Sequence, residues 1–187
     1  MLAAYVLTRK VKAIWAKALL IGLFALIPAG DLLYGRVKLQ LLCKAEGGLR
    51  VNRTVENVEG FLARSAGDIW LRKLHYRFIE TQNAKTFSRF TLTPSGQLEE
   101  RVIDKPLSSY RLERSEDRLP PFLRVTHSIR KIDSGEILGT FVDFNYYGGW
   151  INRLISTDGP TRVANCEAGD GDIGYVQLVQ AVLKPAK

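Results

Sequence analysis

Residues Ala18–Gly30, A-L-L-I-G-L-F-A-L-I-P-A-G, are the only stretch of thirteen residues without a charge, and no other segment restricts the fold as much. They follow a segment, residues 1–17, that carries Arg9, Lys10, Lys12 and Lys17 and no acid. A cationic segment followed by an apolar run reads either as a secretory signal or as an uncleaved signal anchor whose basic end stays in the cytoplasm. Thirteen residues fall short of the ~20 that a membrane-spanning helix needs. Ala13, Ile14, Trp15 and Ala16 lengthen the run, with Lys17 placed to snorkel and Trp15 suited to the interfacial belt. A cut after Ala29 would put the large Ile27 where a small residue is wanted. The anchor, over residues 13–30, is therefore the first reading and a cleaved signal peptide the second. A buried helix of a cytosolic domain comes third, because four cations beside so apolar a run make a poor soluble surface.

The same tail accounts for much of the charge. Lys and Arg number 27 against 19 Asp and Glu, a net +8 that invites a nucleic-acid reading. Four of those cations lie in residues 1–17, which leaves 23 facing 19 acids in the rest of the chain. Those 23 are scattered and mostly interleaved with acids, the pattern of a solvated sheet face. Nucleic acid is therefore not an expected partner and stands only as a third function class. With 187 residues and 46% apolar content, the chain has room for one packed domain beside the appendage. The expected division is 1–30 for the basic tail and anchor and 31–187 for a single extracytoplasmic domain. That places the protein in the inner membrane as a single-pass protein, N-terminus in the cytoplasm and domain in the periplasm.

Export gives the two cysteines a meaning. Cys43 and Cys166 are the only ones, and in an oxidising compartment they are candidates for one long-range disulfide. Two free buried thiols are the alternative, with catalysis or metal binding behind. Zinc needs about four ligands, and Cys43, His75, His127 and Cys166 show no local pairing. No metal and no cofactor is expected.

Beyond the anchor the pattern predicts an α+β fold: a short helix at each end of a mainly antiparallel, curved β-sheet. Asp31 caps a helix over about 31–45 that Gly47-Gly48 end. Short strands are expected over 49–55 and 58–63. Period-2 alternation of Leu74, Tyr76 and Phe78 with Lys73, His75 and Arg77 predicts a strand over 73–81. Pro94-Ser95-Gly96 joins 86–93 and 97–104 into a hairpin, and Asp133-Ser134-Gly135 joins 122–132 and 136–147 into another. The polar segment 109–118, bounded by Lys105-Pro106 and Leu119-Pro120-Pro121, is expected to wrap the surface. A closing helix runs over 172–184, capped by Asp172 and stopped by Pro185.

Several pieces of the chain resemble a group of small proteobacterial membrane-anchored envelope proteins. The most specific are Val55-Glu56-Asn57-Val58-Glu59-Gly60-Phe61 and Tyr146-Tyr147-Gly148-Gly149-Trp150, with Leu42-Cys43 and Cys166 beside them. The resemblance implies an N-terminal anchor and a domain outside the cytoplasm. It assigns no activity and does not reach 62–121.

Candidate function follows from these pieces. The aromatic turn of Tyr146, Tyr147 and Trp150 is the expected contact surface of a non-enzymatic module that binds an envelope protein or polymer. The competing class is a small periplasmic hydrolase using His75 or His127 with a nearby carboxylate. His75 reads as an exposed strand residue and His127 as a buried one, so neither is a strong catalytic signal. Asp143 reads as structural, pairing with an Arg across its hairpin. The acidic run 167–172 lacks the full calcium-loop pattern.

Overall fold

A computed structural model describes residues 14–65, 69–83, 86–148, 162–166 and 172–186. Helix α1 (Ile14–Glu46) leads into β1 (Gly48–Val51), β2 (Val55–Val58) and β3 (Gly60–Ala63). A π-helical turn (Ile69–Lys73) precedes β4 (Phe78–Asn83), β5 (Thr86–Leu92) and β6 (Leu98–Ile103). Strands β7 (Tyr110–Leu119), β8 (Phe122–Lys131) and β9 (Ile137–Tyr146) follow, then β10 (Ala164–Asn165), helix α2 (Asp172–Val182) and β11 (Leu183–Pro185).

Nine strands form one sheet in the order β1-β9-β8-β7-β3-β4-β5-β6, with β10 added to β9. Its ladders are antiparallel except for the two of β3, which pairs parallel with both β4 and β7. The fold is thus the expected mixture of a large, mostly antiparallel sheet and a few helices. Strands β2 and β11 make a separate parallel pair.

Successive side chains of a strand point to opposite faces, so Phe141 and Tyr146 of β9 face different layers. On the Phe141 side lies α2. A Cβ on Gly174 would stand 2.1 Å from the Phe141 ring, so the helix reaches the sheet only because that side chain is missing. Leu178, Val179 and Val182 of α2 are fully buried there with Phe61, Ile79 and Ile129. On the Tyr146 side lies α1. Gly35 lets the Tyr146 ring lie against the helix backbone, and the Tyr146 hydroxyl donates to the Asp31 carbonyl at 3.3 Å. Leu39, Leu42 and Cys43 then pack on Phe122, Val142 and Phe144.

Four expectations need correction. The helix expected to start at Asp31 is continuous with the apolar run, so Asp31 is an interior residue and not a cap. The strand expected over 73–81 begins only at Phe78; the π-turn and a loop supply the alternating exposure before it, with Tyr76 buried and His75 exposed at a φ of 61°. Segment 109–118 is not a surface wrap but most of β7, a strand of ten residues hairpinned to β8 through the cis Pro120-Pro121 bond. Its charges suit an edge: beyond Leu112 it has β8 on one side and no strand on the other among the described residues. The closing helix also ends earlier than expected, at Val182, because Leu183–Pro185 pairs with β2.

The expected disulfide is present. Cys43 and Cys166, 123 residues apart, bond with a Cα–Cα distance of 5.4 Å and fasten α1 to the strand beside β9. Among the described residues no helix is long and apolar enough to cross a membrane. Several side chains of Ala18–Gly30 lie outside that set, so the anchor rests on the sequence alone.

Two outcomes test this packing. Cys43→Ser should lower unfolding free energy by about 4–5 kcal/mol, the loop-closure value for so long a span, read as a shift in the urea midpoint. Gly174→Ala, which crowds the Phe141 ring, should cost about 1–3 kcal/mol with the disulfide intact.

Candidate functional site

Strand β3 stops at Ala63, while its parallel partner β7 continues to Leu119. Their register contains the single pair Leu62↔Arg111. Past that pair the sheet splits, and each face carries a hollow at the split.

On the α1 side the hollow is a groove of about 420 Å³. Alternation places Leu62, Gln82, Arg111, Glu113, Ser128 and Arg130 on this face, and Arg64 and Arg114 join its lining from the rim. Among the described residues this lining holds four arginines and one glutamate. Arg130 Nε lies 3.0 Å from Glu113 Oε2, and Arg111 Nη1 stands 4.0 Å from Glu113 Oε1. Arg111 Nη2 donates to Gln82 Oε1 at 3.2 Å, but its Nε is buried without a hydrogen-bond partner among the described residues. Arg114 pairs with Glu116 at 2.6 Å. Arg64 has no acidic partner among the described residues.

On the α2 side the hollow is a smaller cavity of about 190 Å³, walled by Ile69, Trp70, His127 and Tyr175 and rimmed by Ser65, Glu113 and Arg114. The His127 ring stacks on Tyr175 with centroids 5.4 Å apart, and Trp70 tilts against Tyr175 at 5.6 Å. His127 is buried, as its place on the apolar face of β8 predicted.

A buried carboxylate fixes the strand that supplies Gln82. Glu80, two residues earlier on β4 and on the same face, is wholly buried. It accepts from Arg89 Nε at 3.0 Å and Nη2 at 2.7 Å, from the Leu107 and Ser108 amides at 3.0 and 2.9 Å, and from the Ser108 hydroxyl. Burial alone would raise its pKa. The Ser108 hydroxyl, the two amides and Arg89 outweigh it and hold the carboxyl below its ordinary value. The loop before β7 is thereby tied to β4, which sets where Arg111 enters the groove.

The residues named from sequence are dispersed. Tyr146 is fully buried under α1, so its ring holds the helix and offers no surface to a partner. Tyr147 is half-buried, and Trp150 lies outside the described residues. His75 is exposed on the loop before β4 and lines neither hollow. Asp143 is buried opposite Val125; its Oδ1 accepts from the Cys166 amide at 3.1 Å, and the arginine near it is Arg162, not one of the hairpin. Burial pushes the Asp143 carboxyl up, and its amide bonds and Arg162 offset this only in part. The acidic run 167–171 lies outside the described residues. No cluster of metal-ligating side chains occurs among the described residues.

Sequence reading missed the arginine groove. Arg111 and Arg130 are cross-strand partners, a pairing that needs β7 to be recognised as a strand. Arg64 joins them only through the parallel β3–β7 contact, which no local pattern announces.

The chain matches no family model, no curated protein and no solved structure.

Glu80 gives the domain a pH signature. A carboxyl whose folded pKa is lowered adds stability that is fully present above the ordinary value of 4.5 and is lost as pH falls below it toward the folded value. Glu80→Gln should cost on the order of 3 kcal/mol at pH 7, because it strands Arg89 and turns an amide donor toward two backbone donors. It should also flatten the fall in stability below pH 4.5, measured by urea titration at a series of pH values.

Proposed function

We propose that this protein is a membrane-anchored extracytoplasmic domain of the bacterial envelope that works as a binding module. The observation that carries this reading is the outer surface of α1. Ile14, Trp15, Leu19, Ile21 and Leu26 are all more than half exposed along its first half, and Leu33, Val37 and Leu41 continue one exposed line beside the sheet. An apolar surface of that extent is left open in water only where something covers it. A bilayer covers the first half, and the four cations of residues 1–17 hold that end on the cytoplasmic side. The Cys43–Cys166 bond supports an oxidising compartment for the domain. The resemblance carried by the V-E-N-V-E-G-F and Y-Y-G-G-W segments points the same way.

The binding surface in this reading moves from the aromatic turn to the split in the sheet. Tyr146 is committed to α1, whereas the groove presents charged side chains to solvent.

A second reading is hydrolysis through His127, favoured by its place in the wall of the small cavity with Ser65 and Glu113 at the rim. It requires turnover of a small ester or phosphoester that His127→Asn abolishes without a large loss of stability. Full activity in that variant removes the reading.

Cell fractionation tests the first reading. The protein should sediment with the inner membrane, resist extraction by high salt, and be cleaved by added protease only after the outer membrane is opened. Recovery in the soluble cytosolic fraction with both thiols reactive to alkylating reagent would refute it.

A further inference from the structure

The geometry points to the groove at the β3–β7 split as a binding site for a small polyanion, a ligand with two or more phosphate-type oxyanion groups, held away from the membrane. This deepens the binding-module reading and rests on it for the orientation of the groove alone.

Charge carries the first step. Arg64, Arg111, Arg114 and Arg130 line the groove, and Glu113 is the one acid in its lining among the described residues. Glu113 reaches Arg130 closely and Arg111 only at 4.0 Å, and Glu116 engages Arg114. Among the described residues Arg64 has no acidic partner, and the buried Arg111 Nε has no hydrogen-bond partner. Arginine presents a planar fork that matches an oxyanion with two parallel hydrogen bonds. Arg111 and Arg130 sit directly opposite each other on paired strands, so both side chains leave the same face of the sheet; Arg130 gives Nε to Glu113 and Nη1 to the Gly135 carbonyl at 3.3 Å, which leaves its Nη2 for a ligand. Ser128, Ser115 and Gln82 add neutral donors along the same wall. A volume of about 420 Å³ suits a small molecule or the end group of a polymer.

Position decides between two sources of that chemistry, a free or polymer-borne oxyanion and the headgroups of the protein's own membrane. Helix α1 meets the sheet at Tyr146, which pairs with Phe122, and Asp31 beside it marks the end of the apolar run. Arg130 lies at the other end of β8, eight residues and roughly 26 Å farther along the strand. The Debye length is about 8 Å at physiological salt, so headgroup charge near Asp31 is screened from the groove. The groove therefore faces ligands that arrive from the compartment.

The test uses the full chain in nanodiscs with inorganic tripolyphosphate as the probe, read by calorimetry. Tripolyphosphate should bind at sub-millimolar concentration and weaken as salt is raised. Arg111→Gln and Arg130→Gln should each weaken it at least tenfold, Arg111→Lys less than Arg111→Gln, and Arg53→Gln, outside the groove, by less than twofold. Near-UV circular dichroism identifies any variant that has lost its packing, and Arg64→Gln, which breaks no ion pair among the described residues, then serves in its place. Absence of binding by the wild-type chain, or equal weakening by the groove and Arg53 variants, overturns the site. Affinity should be the same in phosphatidylcholine discs and in discs containing phosphatidylglycerol; a collapse in the latter shows that headgroups occupy the groove and overturns the assignment to a ligand from the compartment. Should the chain fail to enter nanodiscs, the anchor reading falls, and the same titration on detergent-solubilised protein still decides the groove.

Discussion

Strand β3 is joined to its neighbours on both sides by parallel ladders, and through it two antiparallel halves of the sheet become one. Gly60 opens it, where a Cβ would stand 2.2 Å from the Phe78 carbonyl oxygen; the close approach to β4 needs glycine. Phe61 follows at the centre of the core, edge-on to Trp70 and Tyr76 with centroids 5.2 and 5.1 Å away. All four residues, G-F-L-A, are buried, as a parallel strand covered on both faces requires. With Arg64 and Ser65 the chain turns polar and pairing stops. The split and its two hollows are therefore a consequence of how abruptly this strand ends.

The parts of the fold that sequence made legible are those whose pattern is local. The β5–β6 and β8–β9 hairpins carry turn residues between runs of strand-forming residues, and both appear within a residue or two of expectation. The disulfide followed from the cysteine count and from the export expected of the chain. Strand β7 was hidden because Glu113, Arg114, Glu116, Asp117 and Arg118 put charge on both faces, which is what a strand with one open edge demands. The stretch before β4 misled for the opposite reason: a π-turn and loop alternate buried and exposed residues as a strand would. Strand β11 follows α2 without a break signal and is defined only by its partner β2, more than a hundred residues earlier.

Legibility of the candidate site was lower still, for the same physical cause. Its residues come from β3, β4, β7 and β8, and only the non-local ladders bring them together. Tyr146 shows the reverse error: an aromatic cluster beside glycines looks like an exposed contact surface, yet the glycine that mattered to Tyr146 was Gly35, far away on α1. Glu80 carried no signal at all, being one acid among many until five donors close around it.

The joint between α1 and the sheet has a mechanical consequence. A domain hung from a membrane by a flexible linker tumbles and presents its surfaces in every direction. Here the Gly35–Tyr146 contact and the Cys43–Cys166 bond grip one helix at two points separated by two turns, so neither swivel nor hinge remains at the attachment. Whatever heading the first half of α1 takes is thereby imposed on the whole sheet, and anything that holds that half, the proposed bilayer included, also sets the azimuth of the domain.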